Sequence, residues 1–517
     1  MKQTLKMNLT RRLFLTTLFA LTIAFAFNFF FLNLSDRPVM DQVLLLTFST
    51  AALGYLFFSF LGNTAKSIHS DILLSVNKKL NGVSILSFLR ENLPGILLAL
   101  TFFALYTFIG LKLNSPTIDT VDNYLDADNY SWMQRISAPD GDHLEMRGPH
   151  PFAYFIFRPL GWLFNVVTRN YGLSSILINT LAGALCVFMA WLFVKRQFHE
   201  PIYALLIASL LGLCTAHIFF GSVIETYIFS AAALIGFVLV LQSQKDSSSG
   251  YLVGISLLTF GITLTNFVQN FIGFVVSLFS RSTPRSWRDF GGLIKDVFRF
   301  GALTLSFGIL LSLIHAAWYP SAKLFFLLSD AQAEEEFAFS IFQQPVWRAI
   351  GRVLLLVRTI LLYTVIAPQP YVFGREVGGV FPRFNFFKIA PEVFSYSSYN
   401  GLGNLLVMAW AVLLLTAGIF FLRNLIRTRK VDITFAFALS VLFNFALHLN
   451  YGYEPFLYSP DWAYALIFFV AFSLAPLARY RLFQGGLLVF LILLAYNQFQ
   501  FFQFVFETVS PFIGQGG

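Results

Sequence analysis

The chain has 517 residues, 57% of them hydrophobic and only 12% charged, with 64 Phe, whereas soluble domains carry roughly 25% charged residues. A water-soluble enzyme is excluded, and apolar runs recurring from end to end with no polar domain between them describe one polytopic membrane body. The formal charge of +9, from 35 Lys and Arg against 26 Asp and Glu, reads as membrane topology and not as affinity for nucleic acid. Cys186 and Cys214 both lie in apolar runs, which suggests neither a disulfide framework nor a metal site.

Lys2, Lys6, Arg11 and Arg12 precede an apolar stretch that runs to Leu34. That stretch exceeds the core of about 7–15 residues of a signal peptide and lacks a small-x-small cleavage site, so it reads as the first span. At roughly 20 apolar residues per crossing, spans are expected at 12–34, 40–62, 93–113, 172–194, 201–219, 222–242, 300–318, 402–422, 432–450, 461–477 and 484–502. Two shorter segments, 251–265 and 266–280, form a pair that enters and leaves on the same side. The expected fold class is an all-α polytopic membrane protein with about thirteen transmembrane helices.

The basic clusters fall on one side of this map: Lys66, Lys78, Lys79 and Arg90; Lys195 and Arg196; Lys245; Arg281 to Arg299; Arg423 to Lys430; Arg479 and Arg481. By the positive-inside rule that side is cytoplasmic, which puts the N-terminus inside and the C-terminus outside. Two further apolar segments contain arginine: 151–167 has Arg158, and 346–366 has Arg348, Arg352 and Arg358. A charge at mid-bilayer costs about 2.5–3.5 kcal/mol on insertion scales, and a crossing by 346–366 alone would put the Arg423 to Lys430 cluster outside. Both segments are expected to be helices lying at the outer interface, inside two large outer loops, 114–171 and 319–401. The chain thus divides into 1–92, two spans and a cytoplasmic loop; 93–318, a module carrying the first loop; 319–401, the second loop; and 402–517, the C-terminal spans.

The first large loop gathers Asp119, Asp122, Asp126 and Asp128, interleaved with Tyr124, Tyr130 and Trp132 and followed by Arg135. Carboxylates at a membrane face can take a proton from a hydroxyl or hold a divalent cation; the plain alternative is a solvated loop with an aromatic belt. Farther on, Arg147-Gly-Pro-His150-Pro151 opens the segment with Arg158. Asp126-x-x-x-Tyr130 with Arg135 behind it, then His150-Pro151, resembles the first outer loop of the GT-C superfamily of membrane glycosyltransferases, which includes protein O-mannosyltransferases and bacterial aminoarabinose transferases. There the loop carries Asp-Glu-x-x-Tyr, whose Asp is taken as the base, and a His-Pro-Pro-Leu-like motif before interfacial helices. This sequence has Ala127 where an acid is common and one proline in place of two, so the base is open between Asp126 and Asp128. The turn Gly221-Ser-Val-Ile-Glu225-Thr-Tyr227 is similar to the Glu-x-Tyr turn of related bacterial enzymes. The resemblance covers the chain from about residue 93 onward, with the first two spans an addition at the front.

The resemblance implies an inverting transfer of a sugar from a polyprenyl phosphate or diphosphate carrier, reached from the bilayer, to an acceptor hydroxyl on protein, lipid or glycan. Module 93–318 would be the catalytic one, in a bacterial inner membrane. Oligosaccharyltransferase relatives use a divalent cation and O-mannosyl-type relatives need none, so no obligatory metal or other cofactor is expected. Besides Asp126 and Asp128 as catalytic residues, the expected substrate-binding residues are Tyr130, Arg135, His150, Glu225, Arg348, Arg352, Arg358 and Tyr453. A leaving phosphate needs cations; Arg348, Arg352, Arg358, Arg375, Arg383 and Lys388 are the candidates, and snorkelling toward lipid headgroups is the alternative use of an interfacial arginine. Glu225 can equally be an acid favoured by a helix N-terminus. The aromatic turn from His448 to Trp462, with Tyr453, suits stacking on a sugar or anchoring in a headgroup belt. The rival reading is a transporter or flippase of a lipid-linked sugar, although ionisable groups crowded into an outer loop differ from the midplane sites of transporters.

Overall fold

The computed structural model describes residues 9–61, 85–114, 122–243, 250–281, 287–374 and 381–512. The expected basic residues Lys2, Lys6, Lys66, Lys78, Lys79, Lys245 and Arg285 lie outside them. The described residues contain 18 α-helices: α1 (Leu9–Phe31), α2 (Val39–Leu61), α3 (Ile85–Leu113), α4 (Asn129–Ser137), α5 (Ala153–Thr168), α6 (Tyr171–Phe198), α7 (Pro201–Leu213), α8 (Thr215–Phe220), α9 (Tyr227–Ser243), α10 (Gly250–Ile262), α11 (Phe267–Arg281), α12 (Trp287–Trp318), α13 (Leu328–Gln332), α14 (Val346–Arg358), α15 (Leu402–Thr428), α16 (Ile433–His448), α17 (Pro460–Ser473) and α18 (Arg481–Val509).

Six segments are long and apolar enough to cross a membrane: Val39–Ser59, Ser87–Leu113, Tyr171–Phe198, Asp289–Trp318, Leu402–Thr428 and Arg481–Phe512. They make the chain an integral membrane protein. The other expected spans are also occupied by helix, by α1 (23 residues) over the first and by shorter pieces elsewhere, and the boundaries shift where local chemistry dictates. Segment 201–219 is two helices meeting at Cys214, whose ψ of 145° interrupts the turn. The helix expected over 300–318 starts at Trp287, inside the basic stretch.

Local signals explain the helix ends. Arg169 adopts a left-handed conformation that stops α5, and Asn170 then caps α6 by accepting from the N–H of Leu173. Pro201 and Pro460 start α7 and α17, where a missing N–H costs nothing. The central helices α6, α9 and α17 are apolar on nearly every side and form the middle of the core. Close approach there depends on small residues: a Cβ on Gly95 of α3 would lie 2.2 Å from the Trp191 ring of α6. The N-terminal pair α1 and α2 packs on α12 and contributes to a smaller, separate apolar cluster.

The two large loops are built into each other. Alongside α13 and α14, the second loop carries two antiparallel hairpins, β1 (Tyr371–Phe373) with β2 (Arg383–Asn385) and β3 (Phe387–Ala390) with β4 (Val393–Tyr396). The first loop joins the former as a further extended segment: the N–H of Phe384 donates to the carbonyl of Asn123 at 2.8 Å, and that of Leu125 to the carbonyl of Phe384 at 3.1 Å. A second crossing joins Met146 to Ser321 and Lys323, and a third joins Phe337 and Phe339 to Gly452 and Asn450.

Candidate functional site

The acidic stretch is a tight turn wedged between this ribbon and the 222–226 turn. Asp122, Leu125 and Asp126 all have positive φ, 61°, 56° and 67°, a conformation that costs an L-residue roughly 1–2 kcal/mol. Compensating contacts surround them. Tyr124 is buried and stacks on Phe384 with ring centroids 6.0 Å apart, and the N–H of Asp122 donates to the carbonyl of Ala127. On the other side the backbone N–H of Asp128 donates to Oε2 of Glu225 at 3.0 Å, and Asn129 donates to Oδ1 of Asn114, which also accepts from the N–H of Ile224.

Asp126 and Asp128 are both half-buried. Burial, reinforced by the charge of Asp122, raises the Asp126 carboxyl to about 6 against the pull of Arg383, whose guanidinium donates to Oδ1 at 2.9 Å. Asp128 is raised for the same two reasons and held back by Arg135 and Arg147. Buried Glu454 is pushed up to about 8, chiefly by desolvation, with Asp126 adding to it. Five carboxyl groups thus share one region: Asp122, Asp126, Asp128, Glu225 and Glu454. Among the described residues no group of three or more His, Cys, Asp or Glu side chains is arranged to hold a metal ion.

Beside this turn lies a cavity of about 200 Å³ lined by Arg147, His150, Tyr227, Glu334, Tyr451 and Tyr458, among others. Neither Asp126 nor Asp128 lines it, but both lie within electrostatic reach of lining residues: the charge of Arg147 acts on Asp128, and that of Asp126 acts on Tyr458. His150 bonds through Nδ1 to the carbonyl of Ile262 and meets the Trp132 ring edge-on at 5.2 Å. Burial lowers His150 to about 4, so it is neutral at pH 7. Arg135 stacks over the Trp132 ring at 5.1 Å, and Tyr130 packs half-buried against the core.

Glu225 is buried and turned inward, where its carboxylate accepts from the N–H of Asp128 and from both the N–H and the hydroxyl of Thr226. The three arginines of α14 do not gather. Arg352 is buried and donates to the carbonyls of His448, Tyr451, Gly452 and Tyr453, so its guanidinium is committed to the aromatic turn. Arg358 is exposed and lies over the Tyr396 ring at 4.7 Å, while Arg348 donates to Gln344. No hydrogen bond or ion pair joins these three to Asp126 or Asp128 among the described residues. Tyr453 is exposed and donates to the carbonyl of Glu336. Asp119 and Arg375 lie outside the described residues.

Sequence reasoning passed over three participants. Arg147 and Glu334 form an ion pair across the cavity, from separate loops 187 positions apart, and no local pattern announces such a partner. Glu454 stood inside the aromatic turn, where its flanking rings drew the attention. No protein-family model matches the chain, and no curated protein matches it significantly either.

Proposed function

We propose that the chain transfers a sugar from a polyprenyl phosphate or diphosphate carrier to an acceptor hydroxyl at the outer face of a bacterial inner membrane, with inversion. The observation that carries this reading is the pairing of two half-buried carboxylates with raised pKa, Asp126 and Asp128, within electrostatic reach of a cavity lined with Arg, His and Tyr side chains. Asp126 or Asp128 takes the proton of the acceptor hydroxyl, whose oxygen bonds to the anomeric carbon as the bond from that carbon to the carrier phosphate breaks. A base of pKa near 6 is largely ionised at pH 7 and still able to hold a proton, and such help typically contributes about 10²–10⁴-fold. Cations at the cavity offset the charge that grows on the leaving phosphate.

In this reading thirteen helices cross the membrane with the N-terminus cytoplasmic, and α5 and α14 lie along the outer interface. The exposed apolar residues Trp162, Val166 and Val167 on α5, and Ile350 and Leu354 on α14, support that placement. The experiment is sugar transfer by the purified protein in proteoliposomes, using a panel of synthetic polyprenyl-phosphate sugars and of protein, lipid and glycan acceptors. Transfer by the wild type that is lost in Asp126→Asn or Asp128→Asn, with both variants still melting cooperatively as folded proteins, is expected. Carrier movement across the bilayer with no acceptor present, and no transfer, would replace the transferase reading with a flippase.

A further inference from the structure

The Arg147–Glu334 pair has the geometry of an occupied anion site. The guanidinium engages the carboxylate with both Nε and Nη2, Nε at 3.1 Å, and the Tyr451 hydroxyl donates to the same carboxylate at 3.3 Å. The Phe337 ring supports the guanidinium at 3.8 Å. A planar fork backed by an aromatic ring and joined by a hydroxyl donor serves carboxylate and phosphate oxygens alike. Arg147, Glu334 and Tyr451 all line the cavity, and the charge of Arg147 acts on Asp128.

We infer that Arg147 and Tyr451 form a binding site for a phosphate group, and that the carboxylate of Glu334 is its built-in competitor. Two features set the pair apart from a strut between loops. The backbone crossings at Met146 with Lys323 and at Phe337 with Gly452 already tie these segments together on either side of it. The two partners also sit on different backbone, that of Glu334 held at the carbonyls of Glu336 and Phe337 just beyond it. Arg147 follows Met146, whose N–H and carbonyl are both engaged, and its own carbonyl accepts from His150. Glu334 stands on a single 3₁₀ turn, Ala333–Phe337, whose neighbours Glu335 and Glu336 are exposed. Rotation of one side chain withdraws the carboxylate, while the guanidinium and the tyrosine stay in place.

The inference rests on the proposed transferase reading in taking the phosphate to be that of a lipid carrier, and its test is a binding measurement that needs no transfer. The full-length protein in phosphatidylcholine nanodiscs is titrated with farnesyl phosphate and, separately, with inorganic phosphate. Glu334→Gln and Glu334→Ala are expected to bind farnesyl phosphate about tenfold tighter than wild type, because a competing internal ligand is removed. Arg147→Gln is expected to lose about tenfold or more, and Tyr451→Phe a few-fold. A strut would give the opposite sign for Glu334, since breaking it loosens the cavity. Unchanged or weaker binding in both Glu334 variants overturns the proposal, as does wild-type affinity in Arg147→Gln; the Glu334 arm stands if the arginine variant does not fold.

Equal Glu334 dependence with inorganic phosphate upholds the site and shows that it reads phosphate without a tail. Loss of the Glu334 dependence in phosphatidylglycerol nanodiscs, as distinct from the uniform weakening that an anionic surface imposes on every variant, upholds it and names the bulk lipid headgroup as occupant. Sugar transfer without Glu334-dependent binding sinks this site alone, and Glu334-dependent binding without transfer sinks the transferase reading alone.

Discussion

The backbone N–H of Asp128 donates to the side chain of Glu225, 97 positions later in the chain, at 3.0 Å. The same carboxylate takes the N–H and hydroxyl of Thr226, so Glu225 fixes the turn that presents both aspartates. Glu225→Ala leaves buried N–H groups without acceptors, at about 1–3 kcal/mol. A thermal unfolding midpoint lowered by several degrees, with activity falling further than stability, is expected; an unchanged midpoint in calorimetry or intrinsic-fluorescence melts would contradict the role.

Asp126 titrates near 6 in the folded protein against an ordinary 3.8, because burial and Asp122 outweigh Arg383. The native state therefore keeps this proton longer than the unfolded chain does. Its contribution to stability is greatest below about pH 4, declines through about pH 6 and is level above, and Asp126→Asn should flatten that decline in melts taken across the range. Under the transferase reading the rate climbs with pH through about 6. Arg383→Gln removes the charge that holds the carboxyl down and should move that limb upward; a limb that does not move excludes Asp126 as the titrating base.

Arg352 is the keystone of the 448–453 turn, donating to four of its carbonyls from a buried position. Arg352→Ala strands those acceptors and opens a hole, for a loss of about 2–5 kcal/mol. Arg352→Lys should recover little, since one ammonium group cannot span four carbonyls. Near wild-type melting of Arg352→Ala would restore this residue as a candidate for the ligand.

Asp41, near the start of α2, accepts from the N–H groups of Leu328 and Ser329 and so caps α13 from a distant part of the chain. Asp330 in the same short helix accepts from the N–H of Leu324. In Asp41→Ala the amides of Leu328 and Ser329 are expected to exchange with deuterium about tenfold faster, while amides of α6 and α17 are unaffected. Unaltered exchange at 328 and 329 would mean that the N-terminal pair is not what holds this segment.

The helices were legible in the sequence because apolar runs are local and long, the two runs that contain arginine included. Hairpin β1–β2 was not, since three-residue strands separated by a long connection leave no alternation to count. The same holds for the site. Asp126, Asp128 and His150 stand in short motifs that can be read along one stretch of chain, whereas Arg383 reaches Asp126 across 257 positions. Spacing puts Arg352 on one helix face with Arg348, as a phosphate-binding pair would need; its surroundings reveal a cation engaged by main-chain oxygens.

The weaving of Asn123 and Leu125 to Phe384 has a consequence for biosynthesis. A ribosome has made about three quarters of the protein before the strand that braces the acidic turn exists, and contacts of such separation form late. Nascent chains halted before residue 383 would carry Asp126 and Asp128 and the Glu225 contact of the latter, yet lack both the strand that pairs with Asn123 and Leu125 and the Arg383 partner of Asp126, so the acidic turn is completed only in the last quarter of translation.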